Sequence, residues 1–163
     1  MKREATGTRR DDEHLERLER LERLEPSAGA SRLIRSARIA HLATADKHGQ
    51  PHVIPICFVF DGKQFFSPID EKPKRVAPYQ LKRVRNVRAN PRVSLVVDRY
   101  AEDWRKLAYV LITGKAKVIF RGEKHRTAVR LLRGKYRQYR AMAIERRPII
   151  VITPKRVKRW GAL

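Results

Sequence analysis

The sequence predicts a mainly β domain with flanking helices, about six antiparallel strands wound into a closed or partly closed barrel. Two observations carry that expectation. Short apolar runs are separated by tight-turn signals, Asp46-Lys47-His48-Gly49-Gln50 and Asp61-Gly62 among them, and such spacing makes hairpins. Helix-period segments stand between groups of strands rather than after each strand, so no βαβ alternation and no doubly wound sheet is expected. Closure then removes the edges that an open antiparallel sheet would expose.

The elements follow in chain order. The first 13 residues are polar and aperiodic and read as a disordered tail. Leu15, Leu18, Leu21 and Leu24 recur every three residues between Glu-Arg pairs, so they spiral around a helix instead of forming a fixed stripe. Pro26, Ser27, Gly29 and Ser31 close that arm. Residues 1–30 are thus a charged N-terminal arm, partly disordered or helical, and residues 31–163 the barrel domain. A helix is expected over about Ser31 to Ala37, with Leu33 and Ile34 inward, and a strand over Ile39 to Ala45. His52 to Phe60 is almost unbroken apolar sequence, expected to be covered on both faces. Pro51 and Pro55 cannot donate to a ladder and place this strand at an edge or on a bulge. Lys63 to Ile69 returns as a strand.

The stretch from Glu71 to Pro91 is helical in its second half, with Leu81, Val84 and Val87 at helical spacing, and Asn90-Pro91 ends it. Arg92 to Asp98 is a strand, and Leu107 to Phe120 a long one, broken or bulged at Gly114. Gly122 to Arg140 reads as a basic amphipathic helix whose apolar side is Ala128, Val129, Leu132 and Tyr136. Pro148 to Thr153 is a buried strand and Lys155 to Leu163 a tail.

Composition bounds the function. Apolar residues make up 42% of 163, enough for the core of one domain. No stretch of about 18 uncharged apolar residues exists, so no membrane-spanning helix is expected. Residues 1–25 lack the apolar segment of a secretory signal, and Cys57 is the single cysteine; both fit a cytoplasmic location. The net charge of +22 is uneven. Residues 1–25 hold seven Lys/Arg and eight Asp/Glu, so the remaining 138 residues carry +23. Such a field attracts polyanions or acidic ligands and leaves the fold undetermined.

Several chemistries are excluded by missing motifs: no phosphate loop, no G-x-G-x-x-G, no H-E-x-x-H and no G-x-S-x-G occurs. His41, His48, His52 and His125 lack metal-ligand spacing and read as strand-surface or turn residues. Cys57, between Ile56 and Phe58, reads as a small core residue. The richest local feature is Ser67-Pro68-Ile69-Asp70-Glu71-Lys72-Pro73-Lys74-Arg75. Here a strand ends in a hydroxyl, and three cations precede a helix start. That is a candidate phosphate cradle, or else a solvated basic loop.

The pieces Ala40-His41-Leu42-Ala43-Thr44, Gly49 through Pro55, Phe66-Ser67 ahead of Lys72-Pro73-Lys74-Arg75, Arg85-Asn86 and Asn90 through Val97 follow one another in order. Together they resemble the pyridoxamine-phosphate-oxidase-like, FMN-binding split-barrel family. Asp103-Trp104, Lys135-Tyr136, Gln138-Tyr139 and Arg159-Trp160 resemble the branch of coenzyme F420-dependent enzymes. The resemblance implies a six-stranded split β-barrel homodimer with a cofactor, F420 or FMN, at each subunit interface, acting on a small-molecule substrate. It implies that Val53, Ile54 and Pro55 run along the ring and that Ser67 and Pro68 approach its pyrimidine side or ribityl chain. Lys72, Lys74 and Arg75 would hold the phosphate, and Trp160, from either subunit, would cover the ring. The oxidase proper has a basic residue where this chain has Ile56-Cys57, and its Arg-rich C-terminal signature is unmatched, so pyridoxamine-phosphate oxidase activity itself is not expected. Cations Lys82, Arg83, Arg85 and Arg88 suit the oligoglutamate tail of F420. Two rivals remain: a split barrel that binds flavin or haem without turnover, and a nucleic-acid-binding protein. The second would use the basic helix (Arg126, Arg130, Arg133, Lys135, Arg137, Arg140) beside Tyr136 and Tyr139 for stacking. Nucleic acid is not expected as the primary partner.

Overall fold

A computed structural model describes residues 27–70 and 77–163; the Leu-Glu-Arg arm lies outside the described residues. The first described element, α1 (Ala28–Ser36), starts three residues earlier than the sequence predicts. Ser27 does not close the arm but caps this helix, its Oγ accepting from the Ala30 N–H at 3.3 Å, which satisfies one of the orphan donors of a first turn.

Seven strands follow: β1 (Ala40–Ala45), β2 (Pro51–Ile56), β3 (Val59–Phe60), β4 (Phe65–Pro68), β5 (Arg92–Arg99), β6 (Ala108–Ile119) and β7 (Ile149–Gly161). Two further helices, α2 (Lys82–Ala89) and α3 (Glu123–Lys135), stand before β5 and after β6. The strands form one sheet in the order β2-β1-β5-β6-β7-β4-β3, every pair antiparallel. Its edge strands, β2 and β3, are separated in sequence only by Cys57 and Phe58. Three residue steps span at most about 11 Å, so the sheet has to curl until its two edges lie side by side. The result is a half-barrel split along the β2–β3 line, the mainly β class the sequence predicts.

The strand count is seven rather than six because the His52–Phe60 run divides at that split. Phe58 leaves the ladder there, and its backbone is satisfied from another element. Its N–H donates to the Tyr136 hydroxyl at 2.9 Å, and the hydroxyl lies 2.8 Å from the carbonyl oxygens of both Phe58 and Arg38. The prolines sit where their missing donors do no harm, since β2 is an edge strand.

Two apolar layers flank the sheet. Inside the barrel, Leu42, Phe58, Phe65, Leu95, Val110, Ile112, Ile150 and Ile152 pack with Ile34 of α1 and Val84 of α2. On the other face, Ile149 and Val151 pack with Phe66, Leu132, Ile144, Tyr136 and Tyr139 beneath α3. Alternate residues of β7 therefore serve both layers, which is why Ile149–Ile152 has no polar residue. α3 ends at Lys135, earlier than predicted; Tyr136 is extended, and Arg137–Arg140 form a separate 3-10 turn.

The segment from Lys155 onward is not a tail. β7 runs to Gly161, paired along β6 from Ile119↔Ile149 to Ala108↔Gly161. Its four cations, Lys155, Arg156, Lys158 and Arg159, are all exposed while Val157 is half-buried and packs against the core, so charge density alone hid the strand. The expected irregularity at Gly114 is present as a register shift between Thr113 and Gly114. A Cβ at Gly114 would meet the Thr153 carbonyl oxygen at 2.2 Å, a contact that only glycine avoids.

Candidate functional site

The strand period separates the residues that the sequence grouped. Val53 and Pro55 face outward on β2 and are exposed, whereas Ile54 turns inward and packs against the barrel core. Successive side chains of a strand point to opposite faces, so Ile54 offers an outer ligand its backbone only. Ser67 and Pro68 end β4, both buried and paired with Ile150 and Ile149 of β7. Lys72, Lys74 and Arg75 lie outside the described residues.

Around the end of β4 the structure assembles a polar cluster. The carboxylate of Asp70 accepts from the Tyr139 hydroxyl at 3.2 Å. Burial pushes the phenol of Tyr139 well above its usual range, and its neighbours Cys57 and Asp70 add to the shift. At the start of α2, Arg83 reaches toward the same group. Burial lowers its pKa, and the negative charge of Asp70 opposes that shift. The Nε of Arg83 is buried and has no hydrogen-bond partner among the described residues, and the same holds for Nδ1 of His52 on the inner face of β2. The His52 imidazole is held below its ordinary pKa first by burial, then by the positive charges of Lys82 and Arg83. Buried donors are almost always paired, and a cation in a desolvated site calls for an anion. Two buried nitrogens without partners, close to Lys82 and with the Asp70 carboxylate on the other side of Arg83, leave room for an acceptor such as a phosphate oxygen.

A cleft of about 410 Å³ opens beside this cluster, between the β1–β2 turn and α2, lined by Asp46, Lys47, His48, Lys82, Arg85, Asn86 and Ala89. The Asp46 carboxylate is engaged in its own turn, accepting from the N–H groups of His48 and Gln50 at 2.9 and 3.0 Å. Lys47, Lys82 and Arg85 give the cleft its cationic side. Asn86 is anchored from beneath, its Nδ2 donating to Thr44 Oγ1 at 3.0 Å.

Trp160 is not part of this assembly within one chain. It lies on β7, exposed at 53% and stacked on Tyr109 at a centroid distance of 5.6 Å. β2 and β7 are four ladder steps apart, about 19 Å along the sheet.

The sequence reading missed His52 as a site residue and gave Lys82 and Arg83 only a flanking role. The available signal was two cations at the first two positions of a helix, where backbone N–H groups also point outward. Among the other histidines, His125 is buried and donates from Nε2 to the Arg147 carbonyl at 2.8 Å, and His41 Nδ1 lies 3.6 Å from Asp98. No group of three or more metal-ligating side chains exists among the described residues. Cys57 is half-buried in the link across the split. Tyr136 and Tyr139 are buried, at 4% and 2% exposure, so neither is available to stack a base.

A family model described as pyridoxamine 5'-phosphate oxidase matches residues 28–161. No curated protein matches the chain in sequence. Solved structures share the fold. A conserved hypothetical protein of Mycobacterium tuberculosis superposes with a TM-score of 0.68 at 20% identity, covering 83% of this chain and 84% of that one. The haem storage protein HutZ of Vibrio cholerae gives 0.65 at 16%, covering 81% and 92%. A protein described as an F420 reductase gives 0.57 at 23%, covering 82% and 98%.

Proposed function

The chain belongs to the pyridoxamine 5'-phosphate oxidase family, and from that premise we propose that it is a homodimeric oxidoreductase that uses F420 or FMN on a small organic substrate. The observation that carries this reading is the pair of orphaned buried nitrogens, Arg83 Nε at the start of α2 and His52 Nδ1 on β2. Lys82 and Arg83 hold the cofactor phosphate, Ser67 offers its hydroxyl, and Lys72, Lys74 and Arg75 add charge from the segment between β4 and α2. Val53 and Pro55 offer an exposed apolar strip at the sheet edge along which a flat ring lies. Trp160 of a second copy covers the ring's other side, which makes the dimer a requirement of the site. When bound, such a cofactor supplies the hydride chemistry; the chain binds, orients and excludes water.

The cleft between Lys47, Lys82 and Arg85 favours F420 over FMN, because a chain of carboxylates has a cationic groove to follow. The absence of a basic residue at Ile56-Cys57 argues against pyridoxamine phosphate as substrate. A second reading, cofactor binding without turnover, is supported by the structural likeness to a haem storage protein.

Titration of the purified protein with FMN, F420 and haem, followed by fluorescence and absorbance, tests the proposal. Binding of F420 or FMN in the micromolar range is expected. Arg83→Ala should weaken it at least tenfold, since a hydrogen bond to a charged group contributes about 1.5–3 kcal/mol. Lys74→Ala/Arg75→Ala measures the loop's share separately. Unchanged affinity in Arg83→Ala removes the phosphate from this cluster, and haem binding alone selects the second reading.

A further inference from the structure

The basic segment after β6 has a different distribution of charge from the cofactor cluster, and the groove it lines shares no residue with the cleft beside that cluster. Between Arg121 and Arg147 the sequence places ten Lys/Arg against two Glu. Eight of these cations fall into two sets. One set is committed to the fold. Arg133 donates to the carbonyls of Tyr139 and Met142 at 3.2 Å and pairs with Glu145 at 2.6 Å. Lys135 lies over the rings of Phe58 and Tyr136, Lys124 donates to Gln64 at 2.6 Å, and Arg140 donates to the Arg133 carbonyl. The other set, Arg121, Arg126, Arg130 and Arg137, is exposed, and their side chains enter no hydrogen bond or ion pair among the described residues.

Three of these uncommitted arginines line one concave surface. A groove of about 540 Å³ runs along α3 with Arg121, Arg126 and Arg130 on its rim, Val129 in its floor and Phe120 at one end. Phe120 is 50% exposed; the buried His125 and the Arg133–Glu145 pair also line the groove. Arg126 and Arg130 are one helical turn apart, on the same face. Forked guanidinium groups in a row, with an open aromatic face beside them, match the two recurring parts of a single nucleic-acid strand, phosphates and bases.

We propose that the groove along α3, bounded by Arg121, Arg126, Arg130 and Phe120, binds single-stranded nucleic acid through its phosphates, with one base on Phe120. An anionic membrane is the competing polyanion, and the geometry disfavours it. A membrane-bound helix inserts an apolar face, whereas the apolar face of α3 (Ala128, Val129, Leu132) is already packed against the sheet. The surface is concave, and its free cations are arginines.

The test uses the full chain and a fluorescein-labelled 20-nucleotide oligouridylate, read by anisotropy from 50 to 300 mM salt. The wild type should bind with a steep salt dependence. Arg126→Ala/Arg130→Ala should bind at least tenfold more weakly and lower the log–log salt slope by about 1.4, two contacts at the single-strand value. Phe120→Ala should weaken binding at least about fivefold, the lower bound for one stacked base. All three side chains are exposed, so a thermal melt and flavin titration should match the wild type. Equal affinity of wild type and the double arginine variant overturns the proposal. So does wild-type binding to phosphatidylglycerol vesicles without binding to the oligonucleotide, which assigns the groove to a membrane surface.

Discussion

The barrel interior and the layer beneath α3 are both closed to water, yet they rest on different chemistry. The interior is built almost wholly from aliphatic and phenylalanine side chains, with Thr44, Asn86 and Ser67 its polar exceptions. The layer beneath α3 carries two tyrosines and a histidine, each bonded to a specific partner: Tyr136 to the Phe58 backbone, Tyr139 to Asp70, and His125 to Arg147. The interior holds the sheet in a curve by volume. The tyrosine layer fixes where the curve stops, because the Tyr136 hydroxyl grips the backbone that crosses the split. The candidate site borders this second layer, where buried groups are placed one by one.

If that division is right, substitutions should sort by mechanism. The largest effect belongs to the interior. Leu95 is fully buried, and Leu95→Ala should lower the unfolding free energy by about 2–5 kcal/mol through lost burial and a residual cavity, measured by urea denaturation. A loss below 1 kcal/mol would mean that the interior collapses around gaps and is not held by volume.

Tyr136→Phe keeps the ring and removes only the hydroxyl. It strands the Phe58 N–H and the one carbonyl, of Phe58 or Arg38, to which the hydroxyl donates, at a cost of about 1–3 kcal/mol. Hydrogen exchange should show the Cys57–Val59 backbone opening while β5 and β6 keep their protection. Uniform loss across the sheet would erase the distinction between the layers.

Lys135 tests the second layer through pH. Burial, with the positive charge of Arg38 adding to it, lowers its ammonium pKa from 10.5 to about 8. A lysine depressed in the folded state binds fewer protons than it does unfolded, so the penalty is fully present below pH 8. It fades as pH rises from 8 to 10.5. Lys135→Met should therefore gain most over the wild type at pH 7 and lose that advantage by pH 10.5, as followed by denaturant midpoints. A difference constant across that window would show that Lys135 is not desolvated.

The smallest effect is expected at the surface of the same layer. Arg133 and Glu145 are partly exposed, and Glu145→Gln should cost no more than about 1 kcal/mol, reduced further by salt.

What the sequence made legible follows the same line. Period-2 and period-3.6 patterns located the strands and the apolar side of α3, because each of those residues answers to one neighbouring face. Pro51 and Pro55 marked the edge strand, and Gly114 the bulge, since each has one physical reason to be where it is. The break at Cys57-Phe58 was hidden because both residues suit a strand, and the group that interrupts the ladder is a hydroxyl 78 positions further along the chain. The length of β7 was hidden because Lys155, Arg156, Lys158 and Arg159 resemble a solvated tail until a 12-residue partner strand stands beside them. In the candidate site, Ser67 and the cations after it were visible as local composition. The convergence of His52 with Arg83 depends on barrel curvature, which no local pattern reports.

The position of β7 in the sheet also governs the order in which the molecule can be made. It is the strand that joins β6 to β4, and its pairing with β4 links residues 149–152 to residues 65–68. Until residue 152 has left the ribosome, the chain carries two unconnected sheets: the four strands β2-β1-β5-β6 and the short hairpin β3–β4. Contacts so distant in sequence slow folding. Leu95, Val110 and Phe65 thus lack the cover of Ile150 and Ile152 until β7 is made, and the barrel cannot close before then.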